Sequence, residues 1–308
     1  MIAWVPISRI ALMAPSLPSR LAAVLIALVL SGCSPLAVLN AYIPEDGFEA
    51  SRGHAYGNHP RQKLDVYAPR VQDGGAPVVV FFYGGAWQRG NRGDYKFVAE
   101  ALTSKGLVVV IPDYRLYPEV RFPLFLDDGA AALTWTQEHI RAYGGDPNRI
   151  YVMGHSAGAY NAAMLAFDRR YVEAAGGSTE IAGFIGMAGP YDFLPFTSVT
   201  LEKVFGAAPD LPATQPVNFV AADSPRTLLL FGEKDRTVLP AHSKRLAQRM
   251  RSVGGRVAEV GYPGLDHAEL VGVLAKPFRG RAPVLEDVTR FVIAGDTQFA
   301  SMSGRDSH

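Results

Sequence analysis

The stretch Ile150-Tyr151-Val152-Met153-Gly154-His155-Ser156-Ala157-Gly158-Ala159-Tyr160-Asn161-Ala162-Ala163 decides the fold. Its first four residues are an apolar run of strand length, and Ala159 to Ala166 are good helix formers with no Gly or Pro. Between them, Gly154-x-Ser156-x-Gly158 marks a sharp turn with a serine at its apex. A side chain pushed out on a tight, strained turn needs neighbours without side chains two positions away on either side. Strand, turn and helix in this order are the context that a nucleophilic serine elbow requires.

On both sides of this stretch, short apolar runs alternate with helical segments. Gln62 to Tyr67 alternates polar and apolar, an edge-type strand that stops at Pro69. Pro77 to Tyr83 is continuously apolar, as expected of a strand buried on both faces. A helix over 94–104 leads to a central strand at Leu107 to Ile111. A longer helix around 124–142 turns Ala130, Ala131, Leu133, Trp135 and Ile140 inward and stops at Gly144-Gly145-Asp146-Pro147. Further strands are expected at Ile181–Met187, Thr227–Phe231 and Val257–Gly261, with helices at 240–252, 266–274 and 284–294. This alternation predicts an α/β fold: a doubly wound, mainly parallel sheet with helices on both faces. Residues 190–225, rich in Pro and carrying Phe193, Phe196, Phe205 and Phe219, break the alternation and read as a small cap insertion over the strand ends.

The chain has 308 residues, 48% of them hydrophobic and 19% charged, with a net charge of +1, so no basic or acidic stripe points to nucleic acid. Arg9 and Arg20 precede the uncharged run Leu21 to Leu30, which suits the apolar region of an export signal and is too short to span a bilayer. The run ends in Leu30-Ser31-Gly32-Cys33, which resembles a bacterial lipobox. That resemblance implies a signal peptide over 1–32, lipidation of Cys33 and a lipid bilayer as partner. It also implies a place in the bacterial cell envelope facing the periplasm, with Ser34 favouring the outer membrane. Cys33 is the only cysteine, so no intramolecular disulfide forms. Residues 33–50 read as a tether, 51–296 as the folded domain and 297–308 as a polar, frayed tail.

A nucleophilic serine needs a base, a carboxylate to orient the base, and backbone donors for an oxyanion. Of the seven histidines, His242 and His267 follow Ser156 and precede the tail. His267 sits just beyond the last strand, where the base belongs, whereas His242 falls in a helix and reads as a surface or packing residue. The acid belongs in the loop after the preceding strand, Phe231-Gly232-Glu233-Lys234-Asp235, which favours Asp235 with Glu233 and Asp266 as rivals. Ala157 and the turn Tyr83-Gly84-Gly85-Ala86-Trp87 are the expected oxyanion donors, through Gly84, Gly85 and Ala86. Trp87, Phe193 and Phe196 are candidates for the substrate pocket.

These pieces, with Arg61 to Tyr67, Asp113-Tyr114-Arg115-Leu116-Tyr117-Pro118-Glu119 and Asp146 to Ile150, resemble the α/β-hydrolases of the hormone-sensitive-lipase and acetyl-xylan/feruloyl-esterase-like (BD-FAE-like) branch. The resemblance implies a serine carboxylesterase acting on a short-to-medium acyl ester of small-molecule, lipid or polysaccharide type, with no metal or cofactor. Amidase, formamidase or peptidase chemistry on the same residues is the alternative, and a non-catalytic envelope lipoprotein is another. Tyr83 and Ala86 depart from the family, which usually has His and a third Gly there.

Overall fold

The computed structural model describes residue 40, residues 43–71 and residues 74–293. The expected signal peptide, Cys33, most of the tether and the C-terminal tail lie outside the described residues.

One sheet of eight strands organises the chain, in the order β1-β2-β4-β3-β5-β6-β7-β8. The strands are β1 (Phe48–Ala55), β2 (Lys63–Pro69), β3 (Ala76–Phe82), β4 (Val108–Pro112), β5 (Gly145–His155), β6 (Gly183–Met187), β7 (Thr227–Gly232) and β8 (Val257–Tyr262). β3 to β8 run parallel, while β2 pairs antiparallel with both β1 and β4. The centre is apolar because Val78 to Phe82, Val108 to Ile111 and Leu228 to Leu230 have both faces covered. Helix α1 (Lys96–Thr103) packs against the last helix, while α2 (Leu124–His139) packs on α3 (Ala157–Phe167) and α4 (Arg169–Ala174). The remaining helices are α5 (Val199–Phe205), α6 (Ala241–Ser252), α7 (His267–Gly272) and α8 (Val284–Ile293). This is the expected doubly wound α/β-hydrolase arrangement.

Three expectations need correction. β2 is not at the edge: β1 covers it, and β1 starts at Phe48, inside the stretch read as tether. β1 escapes a pattern search because its register shifts between Ser51 and His54 around Gly53, whose φ is 78°, and a bulge breaks the period of two. On α2, Ala130 and Leu133 are buried as expected, but Ala131 and Trp135 are only half-buried and Ala132 and Thr136 take the inner positions. The 190–225 segment, expected as a cap insertion, consists of α5 and two short 3₁₀ turns packed on the domain. Fully buried Phe205 anchors it, together with hydrogen bonds from Phe122 N to Val204 O and from Val217 N to Tyr191 O.

The elbow has no spare volume. A Cβ on Gly158 would sit 2.0 Å from the Phe82 carbonyl oxygen, and one on Gly154 would sit 2.2 Å from that of Gly158. Backbone is the obstacle in both cases, so relief requires α3 to move off β3. Gly158→Ala is expected to cost about 3 kcal/mol or more, read as a lower urea midpoint at unchanged slope. A midpoint equal to that of the wild type would show that the helix yields freely.

Candidate active site

Because β3 to β8 are parallel, the loops after β3, β5, β7 and β8 emerge at one edge of the sheet, and Ser156, Asp235, His267 and the residues expected as oxyanion donors lie in or just after them. Ser156 occupies the turn between β5 and α3 with φ 56° and ψ −123°, a conformation a non-glycine residue holds only under constraint. The constraint includes a hydrogen bond from Ser156 N to Met187 O at 2.9 Å and those that Ser156 O accepts from Ala159 N and Tyr160 N.

His267 opens α7. Its Nε2 lies 2.9 Å from Ser156 Oγ and its Nδ1 lies 2.7 Å from Asp235 Oδ2. With a carboxylate at Nδ1, that nitrogen carries the proton, which leaves Nε2 free to accept one from the serine hydroxyl. Asp235 is buried, and its Oδ1 accepts hydrogen bonds from Thr237 N at 2.8 Å and Val238 N at 2.9 Å. Burial pushes the Asp235 carboxyl up, but the hydrogen bond and charge of His267 and the two amides outweigh it and hold the group below the usual carboxylate value. The acid and base loops are tied together by Lys234 N to Leu265 O at 3.1 Å and Glu233 N to Tyr262 O at 3.0 Å.

The two rival acids have other surroundings. Asp266 caps α7, accepting from Glu269 N at 2.9 Å, while Glu269 reaches back to Asp266 N at 3.0 Å. Glu233 is exposed.

Ser156 opens into a cavity of about 530 Å³. Ala86 and Ala157 line it beside the serine, and Trp87 and Phe193 form apolar walls. Gly84 and Gly85 are absent from the lining: Gly84 packs against the elbow, where a Cβ would lie 3.0 Å from Ser156 Cβ. Gly85, at φ 131°, makes the turn. Trp87 donates from Nε1 to Asn161 Oδ1 at 2.9 Å and meets Phe205 edge-on at 4.9 Å. Phe196 is not in the wall; it is half-buried behind Phe193, ring centroids 6.2 Å apart. His242, read from sequence as a surface or packing residue, does line the cavity, next to Arg245. Arg245 straps the cap to α6 through Asp192, at 2.6 Å to its carboxylate and 2.7 Å to its carbonyl. Burial first, and the Arg245 charge second, lower the His242 pKa, so this wall histidine favours its neutral form. Among the described residues, no group of three or more His, Cys, Asp or Glu is placed to hold a metal ion.

The family model for BD-FAE matches residues 64–250, more than half of the chain. The chain belongs to the BD-FAE family. It is 30% identical to an isoprenylcysteine alpha-carbonyl methylesterase of Arabidopsis thaliana over 271 residues, covering 80% of this chain and 63% of that protein. It is 29% identical to esterase LipC of Mycobacterium tuberculosis, covering 69% and 58% of the two chains. The chain thus spans less than two thirds of the length of these curated relatives. Inhibited esterase B from Lactobacillus rhamnosis superposes with a TM-score of 0.76 at 20% identity, over 92% of this chain and 98% of that one, a likeness of fold.

How this BD-FAE chain braces the turn after β3, where Tyr83 stands in the usual His position, was not legible from motifs. The Tyr83 ring stacks between Tyr114 at 4.8 Å and Tyr95 at 5.5 Å. Its hydroxyl donates to Asp113 Oδ1 and accepts from Arg61, each at 2.8 Å, while Tyr114 donates its hydroxyl to the Tyr83 carbonyl at 2.8 Å. Arg61 also bonds Gly90 O at 2.8 Å, and Arg92 joins Asp113 to Asp65. Burial, with Tyr114 and Asp113 adding to it, pushes the Tyr83 phenol far up, so it stays a donor. Removing the hydroxyl leaves buried Asp113 and half-buried Arg61 each short of a hydrogen bond, a loss of about 1–3 kcal/mol. Tyr83→Phe is therefore expected to lower stability by that amount in chemical unfolding. An unchanged unfolding midpoint would show that Tyr114 and Tyr95 brace the turn by stacking alone.

Proposed function

We propose that the chain is a serine carboxylesterase for short-to-medium acyl esters. The observation that carries the reading is the hydrogen-bonded row from Asp235 through His267 to Ser156, ending in an apolar-walled cavity. Ser156 Oγ attacks the ester carbonyl carbon while its proton passes to His267 Nε2, and Asp235 stabilises the imidazolium that results. The oxygen that gains charge is received by the amides of Ala86 and Ala157, with Gly85 shaping the turn. Collapse breaks the bond to the alcohol, which leaves with the proton from Nε2. Water then attacks the acyl-enzyme, giving a proton to Nε2, and the acid departs as Ser156 regains its hydrogen. Trp87 and Phe193 place apolar surface beside the reacting carbon, and the relatives named as esterases support ester over other acyl chemistry.

The test is turnover of p-nitrophenyl acetate, butyrate and octanoate, and of a feruloyl ester, beside variants. Ser156→Ala is expected to lose at least about 10³-fold in kcat, and Asp235→Asn about 10³- to 10⁴-fold with its fold intact. Full turnover by Ser156→Ala, or faster cleavage of the matched amides, would overturn the reading.

The lipobox-like Leu30 to Cys33 supports a second part of the proposal: an acylated, membrane-tethered protein of the bacterial envelope. The Asn40 side chain donates to Gly93 O at 2.9 Å and accepts from Phe97 N at 3.2 Å, at the N-terminus of α1. Since α1 follows parallel β3, that point belongs to the edge of the sheet where Ser156 opens. Asn40 lies seven positions after Cys33, a reach of at most roughly 25 Å. An anchor at Cys33 would thus keep the catalytic edge close to a leaflet. In a bacterial host, the full chain is expected in the membrane fraction and Cys33→Ser in the soluble fraction. Equal partition of the two would remove the anchor from the proposal.

A further inference from the structure

The elbow pattern leaves the residue between Gly154 and Ser156 unspecified, and here it is a histidine. His155 ends β5 and is 6% exposed, inside the site yet outside the hydrogen-bonded row. Its Nε2 lies 2.9 Å from the main-chain oxygen of His267. A carbonyl oxygen only accepts, so Nε2 carries a hydrogen. The two imidazole rings are 4.8 Å apart at 41°. On the other side of the ring, Nδ1 faces the oxyanion turn closely enough that a Cβ on Gly84 would come within 3.2 Å of it. One side chain thus touches the strand of the nucleophile, the backbone of the base and the turn that receives the oxyanion.

The sheet order explains why such a tie matters. His267 follows β8 and Ser156 follows β5, with β6 and β7 lying between those strands. The base must therefore reach back across two strands to meet the serine. The hydrogen bonds between the loops after β7 and β8 fix acid against base, but they do not reference either to β5. The bond from His155 does.

We propose that His155 is a positioning residue. Its Nε2–H holds the main chain of His267 against the turn of the nucleophile and so fixes the approach of His267 Nε2 to Ser156 Oγ. The role rests on the esterase reading. It requires a donor that stays neutral, because a second cation would oppose the charge that forms on His267. Burial, helped by the His267 charge, lowers the His155 pKa to about 3, while the hydrogen bond and Asp235 act the other way. The titratable groups that act on it, His267 and Asp235, belong to the row itself. His155 is therefore a neutral donor across the working range.

Four proteins test this on one short-chain p-nitrophenyl ester: wild type, His155→Leu, His155→Asn and His155→Gln. Leu removes the donor and Asn is too short to reach the carbonyl, whereas Gln keeps an N–H at nearly the same reach. His155→Leu and His155→Asn are expected to lose about 10- to 100-fold in kcat with KM within about twofold. Labelling of Ser156 by a fluorophosphonate should slow in proportion, and His155→Gln should recover most of the loss. The pH profile of His155→Gln should keep the wild-type shape, because a group neutral above about pH 4 contributes no titration of its own. Wild-type kcat in a folded His155→Leu or His155→Asn overturns the role, and so does His155→Gln as slow as either with all of them folded. If Leu fails to fold, the Asn–Gln comparison decides. A wild type inactive on every ester would instead sink the parent reading, which Ser156→Ala separates from this one.

Discussion

The absence of side chains where α3 crosses the end of β3 is the constraint on which the rest depends. With Gly158 against the carbonyls of Phe82 and Tyr83, the helix lies directly on the strand, its backbone in contact with backbone. That contact does two things at once. It forces the chain to reverse between β5 and α3 within one residue, which puts Ser156 at φ 56° and projects its hydroxyl from the sheet edge. It also brings the loop after β3 beside the serine, so that Gly84 and Ala86 become its neighbours. The strain at Ser156 is held by burial of the whole of α3, from Ala157 to Phe167. Fold and candidate site therefore share a single contact.

The parts of this arrangement that sequence reveals are those set by local chemistry. Continuous apolar runs such as Val78 to Phe82 mark the central strands because burial on both faces leaves no room for alternation. The row of Ser156, Asp235 and His267 is legible because each follows a strand and the chain order is that of the family. What stays hidden is set by long-range partners. Nothing near Tyr83 in the chain indicates that Asp113, thirty positions on, and Arg61, twenty-two positions back, will meet its hydroxyl. Likewise the spacing of Phe193 and Phe196 cannot tell which ring reaches the cavity, because the cap follows no helical or strand period over those residues. β1 is hidden for a different reason: Gly53 supplies a bulge, and a bulge erases the alternation by which a strand is recognised.

Charge gives the last step. In the proposed reaction, a proton that moves from Ser156 to His267 creates a cation and, through the attack, an oxyanion. One fixed negative charge in line with the imidazole stabilises that state; a second would raise the cost of the oxyanion. The chain has three carboxylates in the two loops, and it buries one of them. Asp235 is held ionised by two backbone amides and by His267 in spite of its burial. Asp266 is turned outward to cap α7, and Glu233 is left in solvent. His155, the other titratable group against His267, is kept neutral by the same burial that Asp235 overcomes. The difference between the two lies in their partners. Asp235 meets donors, which favour the anion, while the bond of His155 to a carbonyl favours a proton already present on neutral imidazole and offsets only part of the burial. Of the two titratable side chains that meet the His267 ring, Asp235 is thus held as the anion and His155 as the neutral partner.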